Sequence, residues 1–250
     1  MGAVVIDTSL ERRFGFFEAY IGKKLVMAVT GIILLGYVIG HLLGNLQVFL
    51  PPRIVNGERV YQINVYAGLL HTSAPLLWAV RSVLLAAVGL HIWSSLLLWL
   101  QKRNARPVSY TKQDAIASSY ASRTMIWSGP IVGCFIVFHI LHLTAGTIGL
   151  GVQEAAAGAG GTEQYFAYEN LVHGFRNPAV AIAYIVAMVL LSTHLYHGIW
   201  SMFQSVGISH PRLTPALKRL SHWLAILICA GFISIPIAIL TGLVGCEVPR

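Results

Sequence analysis

LVMAVTGIILLGYVIGHLLGNLQVFLPP, residues Leu25 to Pro52, contains no Asp, Glu, Lys or Arg. It is longer than the roughly 20 apolar residues that span a bilayer. Toward its far end stands His41-Leu-Leu-Gly-Asn45-Leu-Gln47. Imidazole in hydrocarbon has to hydrogen-bond or bind a metal, so an ionisable residue at that depth marks a functional site. Three further apolar runs carry a histidine at a matching depth: His91, His139 and His194.

The remaining charge-free runs are Ser82 to Gln101, Thr124 to Gln153, Asn177 to Pro211 and Leu220 to Cys246. In a chain that is 56% hydrophobic and 10% charged, far from the usual quarter charged residues of a soluble domain, these runs read as membrane spans. Bilayer hydrocarbon offers no partner for free backbone groups, and the alternation of a membrane barrel is absent, so the runs are helices. Five transmembrane helices are therefore expected, at about 25–50, 75–100, 124–150, 178–206 and 216–245. They form an all-α transmembrane domain over residues 25–250, preceded by an N-terminal arm over 1–24. Arg and Lys in the arm and the successive connections number 4, 2, 5, 1, 3 and 1, so the positive-inside rule puts the N-terminus in the cytoplasm and the C-terminus outside. That distribution accounts for the net charge of +8 without nucleic acid.

The first apolar segment is too long for a signal-peptide core and has no small-residue cleavage site after it. Cys134, Cys229 and Cys246 form no CxxC or CxxCH, which argues against a disulfide framework and against covalent haem attachment. Val60 to Ser73 carries Tyr61, Gln62, Asn64, Tyr66 and His71 but no charge, and reads as an amphipathic segment at the outer interface. Gln153 to Asn177, first rich in Ala and Gly and then in aromatics, reads as a flexible outer loop. Pro130 and Gly133 are expected to bend the third helix. Gly36, Gly40 and Gly44 suit either close helix packing or room for a flat macrocycle. All nine acidic residues fall in connections or tails, which disfavours a transporter built on an intramembrane carboxylate.

Counting from the helix ends gives the depth of each histidine. His41 follows Lys24 by 17 residues and His139 follows Arg123 by 16, on helices running outward. His91 follows Pro75 by 16 and His194 follows Pro178 by 16, on helices running inward. The two levels then differ by roughly 10 Å at 1.5 Å per residue, pairing His41 with His139 and His91 with His194. Two imidazoles from facing helices of an antiparallel four-helix bundle can take both axial positions of a haem b iron. Two such haems are the expectation. His139-Ile-Leu-His142 and His194-Leu-Tyr-His197 each offer two imidazoles on one helical face, and spacing alone does not choose between them. A di-metal oxidase built on these HxxH pairs is disfavoured, because they lie at different depths and lack carboxylate companions.

Several segments carry a resemblance to a known family. They are Gly22 to Gly31, HLLGNLQ from His41, Asn64 to Pro75, Ser122-Arg-Thr, and His194-x-x-x-Gly198-x-Trp200 continuing to Val206-Gly-Ile208. Over nearly its whole length the chain resembles the single-chain, five-helix, dihaem cytochrome b subunit of succinate dehydrogenases and fumarate reductases. The resemblance implies that His194 and His139 are the axial members of their pairs. It further implies an inner, proximal haem on His91 and His194 and an outer, distal haem on His41 and His139. It implies a flavoprotein with FAD and an iron-sulfur protein docked on the cytoplasmic face of a bacterial inner membrane. This chain would then carry electrons between the iron-sulfur centres and a quinone, menaquinone in relatives of this type, within a complex that can form higher oligomers. No residue here provides a succinate site.

Phe175-Arg176 is similar to a Phe-Arg whose arginine meets distal haem propionates, and Arg123 is a candidate for the proximal ones. Arg81 either snorkels to the surface or meets a propionate. His142 and His197 are spare imidazoles for a propionate, a quinone or a backbone carbonyl. Ser192 stands where some relatives place a proton-carrying glutamate. Asn45, Gln47, Tyr66 and His71 are the candidate quinone partners. Two rival readings are a cytochrome b subunit of a hydrogenase or formate dehydrogenase, and a haem-free structural anchor.

Overall fold

The computed structural model of the chain describes residues 19–55, 57–105, 120–148, 156–157 and 163–248. Most of the expected N-terminal arm and most of Gln153 to Gly161 lie outside these residues. Helix α1 (Tyr20–Asn45) ends in a 3-10 turn, Leu46–Phe49. An antiparallel pair follows, β1 (Arg53–Val55) with β2 (Glu58–Val60), then α2 (Gln62–His71) and α3 (Ala74–Asn104). Helix α4 (Tyr120–His139) continues into a π turn, Ile140–Thr144. A second short pair, β3 (Ala156–Ala157) with β4 (Glu163–Gln164), precedes α5 (Ala167–Phe175), α6 (Pro178–Ser205) and α7 (Leu213–Leu240).

Among the described residues five helices are long and apolar enough to cross a membrane, the pattern of a multi-pass membrane protein. Only 6% to 33% of each apolar window is buried inside the protein. The outward apolar surface therefore requires an apolar solvent. Helix α6 packs against α1, α4 and α7, and α1 packs also against α3.

Local chemistry sets the helix ends. Asn177 caps α6, its side chain accepting from the Ala179 amide at 3.0 Å, with Pro178 in the first turn where no donor is lost. Helix α1 begins at Tyr20, earlier than the apolar run, because Lys23 and Lys24 are good helix residues whose stems can lie along an apolar surface. The third span stops short of residue 150: after the π turn the chain turns at Gly146, whose φ of +63° lies in the left-handed region.

The outer connection is more ordered than its composition implies. Residues 167–175, expected to be part of a flexible loop, form α5, with Tyr168, Leu171, Val172 and Phe175 buried. Their spacing of three, one and three residues places them on one helical face. They join Val48, Tyr61, Ile63, Tyr184, Ile235, Ile239 and Val248 in a single apolar cluster.

The chain after α7 closes this end. Gly245 has φ +87°, and a Cβ there would sit 2.6 Å from Val172 Cγ1, so both conformation and space require glycine. Arg176 Nη2 donates to the carbonyls of Gly245 at 2.7 Å and Val248 at 2.5 Å. Tyr61 and Tyr168 stack with ring centres 3.7 Å apart, and their hydroxyls donate to Glu247 Oε1 at 3.3 and 2.6 Å. Asn64 ties α2 to α5, donating to Glu169 at 3.0 Å and accepting from the Tyr168 amide at 2.7 Å.

Hydrogen bonding from Tyr168 holds the Glu247 carboxyl below its ordinary value, while burial pushes the Tyr168 phenol up. A carboxyl depressed by folding stabilises the fold above its unfolded pKa, about 4.3, and that contribution is lost as pH falls through the folded value. Glu247→Ala is expected to cost about 1–2 kcal/mol, since it strands two tyrosine hydroxyls. Thermal melting in detergent should show wild-type stability falling on acidification from pH 6 to pH 3 more steeply than that of Glu247→Gln. Parallel pH profiles would rule the clasp out.

Candidate functional site

The four intramembrane histidines meet in two pairs. His41 on α1 faces His139 on α4, ring centres 5.7 Å apart. His91 on α3 faces His194 on α6, ring centres 6.3 Å apart. Neither α1 with α4 nor α3 with α6 is among the extensively packed helix pairs, so these elements reach each other through side chains across a gap.

At the inner pair a threonine sets the imidazole's tautomer. Thr30 Oγ1 donates to the Val26 carbonyl at 2.8 Å, the back-bond of a helical threonine. Its single proton is thus committed, and the oxygen accepts from His91 Nδ1–H at 3.0 Å. That leaves the lone pair on His91 Nε2. Opposite, His194 Nδ1 is buried without a hydrogen-bond partner among the described residues. A Cβ on Gly31 would lie 3.7 Å from His91 Cε1, and one on Gly129 would lie 3.8 Å from His194 Cε1. An apolar groove of about 430 Å³ between α1 and α3 reaches Thr30, lined also by Val26, Val29, Ala87 and Leu90.

The outer pair lies against the aromatic cluster. Tyr37 stacks on His41 at 5.4 Å, and Phe232 of α7 approaches its other neighbours at 5.9 Å. Asn45 Nδ2 donates to the His41 carbonyl at 2.7 Å and lies against the imidazole, 3.3 and 3.4 Å from its two nitrogens. The Tyr184 hydroxyl sits between His139 Nδ1, at 3.3 Å, and His142 Nδ1, at 3.0 Å.

A single spacing links the two levels. Ten residues separate Gly31 from His41, Arg81 from His91, Gly129 from His139 and Tyr184 from His194. Each of the four helices thus carries an imidazole at one level and a different residue at the other. Because Gly31 lies beside His91, the pairs stand about 15 Å apart along the helices. That exceeds the roughly 10 Å expected from charged ends, because the helices start at unequal heights.

The other candidates are placed as follows. Arg81 lies over the Trp78 ring at 5.1 Å, and Arg123 is exposed near the start of α4. Arg176 is engaged with the C-terminal carbonyls described above. His142 is 2% exposed and stacked parallel to Phe138, whereas His197 is half-buried on α6. Tyr66 packs on Gly44, where a Cβ would lie 2.5 Å from its ring. Gln47 is half-buried in the 3-10 turn. His71 is exposed, bonded to the Ala67 carbonyl at 2.7 Å and stacked on Tyr165. Asn45 and Tyr66 thus meet at the last turn of α1, while His71 belongs to α2. A Cβ at Gly36 or Gly40 would meet nothing within 4 Å, so these two glycines do not serve close helix contact.

The donor set limits what can bind. Two imidazoles fall short of the four ligands that a structural zinc takes, and no group of three or more His, Cys, Asp or Glu converges among the described residues. A metal arriving with its own in-plane ligands needs only two axial donors. With metal–nitrogen bonds of about 2 Å, two imidazoles sharing one ion have ring centres roughly 6 Å apart, close to both observed separations. The residues present fit a haem at each pair.

No known protein family, curated protein or solved structure matches the chain.

Gly44→Ala is expected to lower stability by about 1–3 kcal/mol through overpacking against Tyr66, and Tyr66→Ala in the same chain should relieve most of the added cost. Additive losses in a detergent melting series would show that the two residues are independent.

Proposed function

We propose that this chain is the haem-carrying membrane anchor of a bacterial succinate:quinone oxidoreductase. In this reading it transfers electrons between an iron-sulfur partner and a membrane quinone, menaquinone in the reading favoured here. The observation that carries the proposal is the convergence of four histidines from four apolar helices into two facing pairs. The first four spans make an antiparallel bundle around two haems b, with α7 as support. His91 and His194 would hold the inner haem, and His41 and His139 the outer one. Haem b bound this way supplies one-electron chemistry at an iron with no open position.

The protein's own groups provide the rest of the mechanism. Thr30 holds His91 in the tautomer that presents Nε2. The apolar spans exclude water from the pairs, and Gly31 and Gly129 leave the imidazole edges uncrowded. Basic residues in the arm and in the connections after α3 and α6 face the cytoplasm, where the flavoprotein and iron-sulfur subunits dock. The C-terminus then lies outside. Asn45 and Tyr66, at the end of α1, are the polar groups best placed to meet a quinone headgroup near the outer pair.

Dithionite-reduced minus oxidised spectra with pyridine-haemochrome quantitation, on the chain purified with its accompanying subunits, should give two haems b per chain. Succinate should reduce at least part of them. Absence of haem from a folded chain would overturn the proposal, and haem reducible by hydrogen or formate but not by succinate would move it to another quinone-linked complex. His91→Ala or His194→Ala should remove the inner haem and leave the outer spectrum. Retention of both haems in either variant would overturn the pairing.

A further inference from the structure

Helix α4 carries two histidines at its outer end, and the haem reading employs one. The second, His142, is 2% exposed in an apolar surrounding, and burying an imidazole there is costly without a hydrogen bond. Its bond goes to Tyr184, which also reaches His139. Tyr184 is itself 6% exposed, with Phe135 and Phe175 edge-on to its ring at 5.0 and 4.8 Å. His142 stacks on Phe138 with 6° between planes, and a Cβ on Gly174 would lie 3.0 Å from its Cε1. The three polar groups are thus fixed by packing from α4, α5 and α6.

One hydroxyl proton serves two nitrogens, so the three groups can be ordered in only one way once His139 is a ligand, an assignment that rests on the function proposed above. A ligating Nε2 leaves the His139 proton on Nδ1, which donates to the Tyr184 oxygen. The Tyr184 hydroxyl then donates to His142 Nδ1, whose own proton resides on Nε2. Every buried donor and acceptor facing the hydroxyl is satisfied.

We propose that Tyr184 is a positioning residue for the outer pair: it accepts from His139 Nδ1–H, donates to His142, and so fixes the tautomer and donor strength of His139. Thr30 does the same for His91 at the inner pair, with a backbone carbonyl in place of the second imidazole. The second histidine of the HxxH is in this account an acceptor that orients the tyrosine.

The test is potentiometric titration of the purified complex, read optically, with the outer component assigned by its loss in His41→Ala. Tyr184→Phe should keep two haems per chain and raise the outer midpoint potential while leaving the inner one in place, because an imidazole without an acceptor on Nδ1–H is a weaker donor to ferric iron. Thr30→Val should move the inner potential alone, and His142→Leu should move the outer one in the same direction as Tyr184→Phe. Two haems with unmoved potentials in Tyr184→Phe would overturn the proposal, as would a shift confined to the inner haem. Loss of the outer haem alone supports it. If Tyr184→Phe fails to assemble, His142→Leu decides by the direction of its shift. A wild-type complex without haem would overturn the underlying assignment of His139, a failure visible before any variant is made.

Discussion

An imidazole inside a hydrocarbon layer has no water to satisfy it, and that constraint orders the interior of this chain. Helices in lipid gain no hydrophobic driving force from meeting one another; they associate through van der Waals packing and a few polar contacts. His41, His91, His139 and His194 sit on four different helices, and each faces an imidazole on a helix other than its most extensive packing neighbour. Helix α6 supplies the conventional packing, against α1, α4 and α7. The polar contacts then fix register, since sliding one helix by a turn would separate both levels at once.

The two ends of the molecule are stabilised differently. At the outer end α2, α5 and the C-terminal tail bring Tyr61, Tyr168, Val172 and Val248 together with residues of the spans, making an apolar core like that of a soluble domain. The Tyr184 ring belongs to that core while its hydroxyl serves the outer histidines. At the inner level the setting is plainer: a threonine back-bonded to its own helix, two glycines, and an apolar groove. The His139 orientation is thus coupled to the outer core, and the His91 orientation to one turn of α1.

Much of this was legible in the sequence. Charge-free runs report spans because a buried charge in lipid is so costly, and histidine is conspicuous in them for the same reason. Counting from helix ends also gave the combinations His41 with His139 and His91 with His194. What the sequence hid is tertiary. Helix α5 was concealed because its aromatic residues follow an Ala- and Gly-rich stretch, and only packing against α7 and the tail reveals their common face. Arg176 read as an anion-binding residue, whereas its Nη2 meets two carbonyls of the distant tail. Thr30 and Tyr184 look ordinary in apolar runs, although the spacing of ten residues from His41 and His194 carried a signal that depth counting did not use.

The π turn after His139 has a consequence for how this helix tolerates change in length. Ala145 donates to the Ile140 carbonyl at 2.8 Å, closing a ring one residue wider than the α-helical one. Such a turn accommodates a single extra residue without rotating the helix before it. Removing one residue from Ile140–Thr144 would restore the ordinary winding, and everything beyond would swing by about 100° about the axis. His139 would keep its direction while the chain that turns at Gly146 toward α5 would leave in another. The extra residue acts as a phase shifter, letting one helix aim its imidazoles inward and still hand the chain on to the cap.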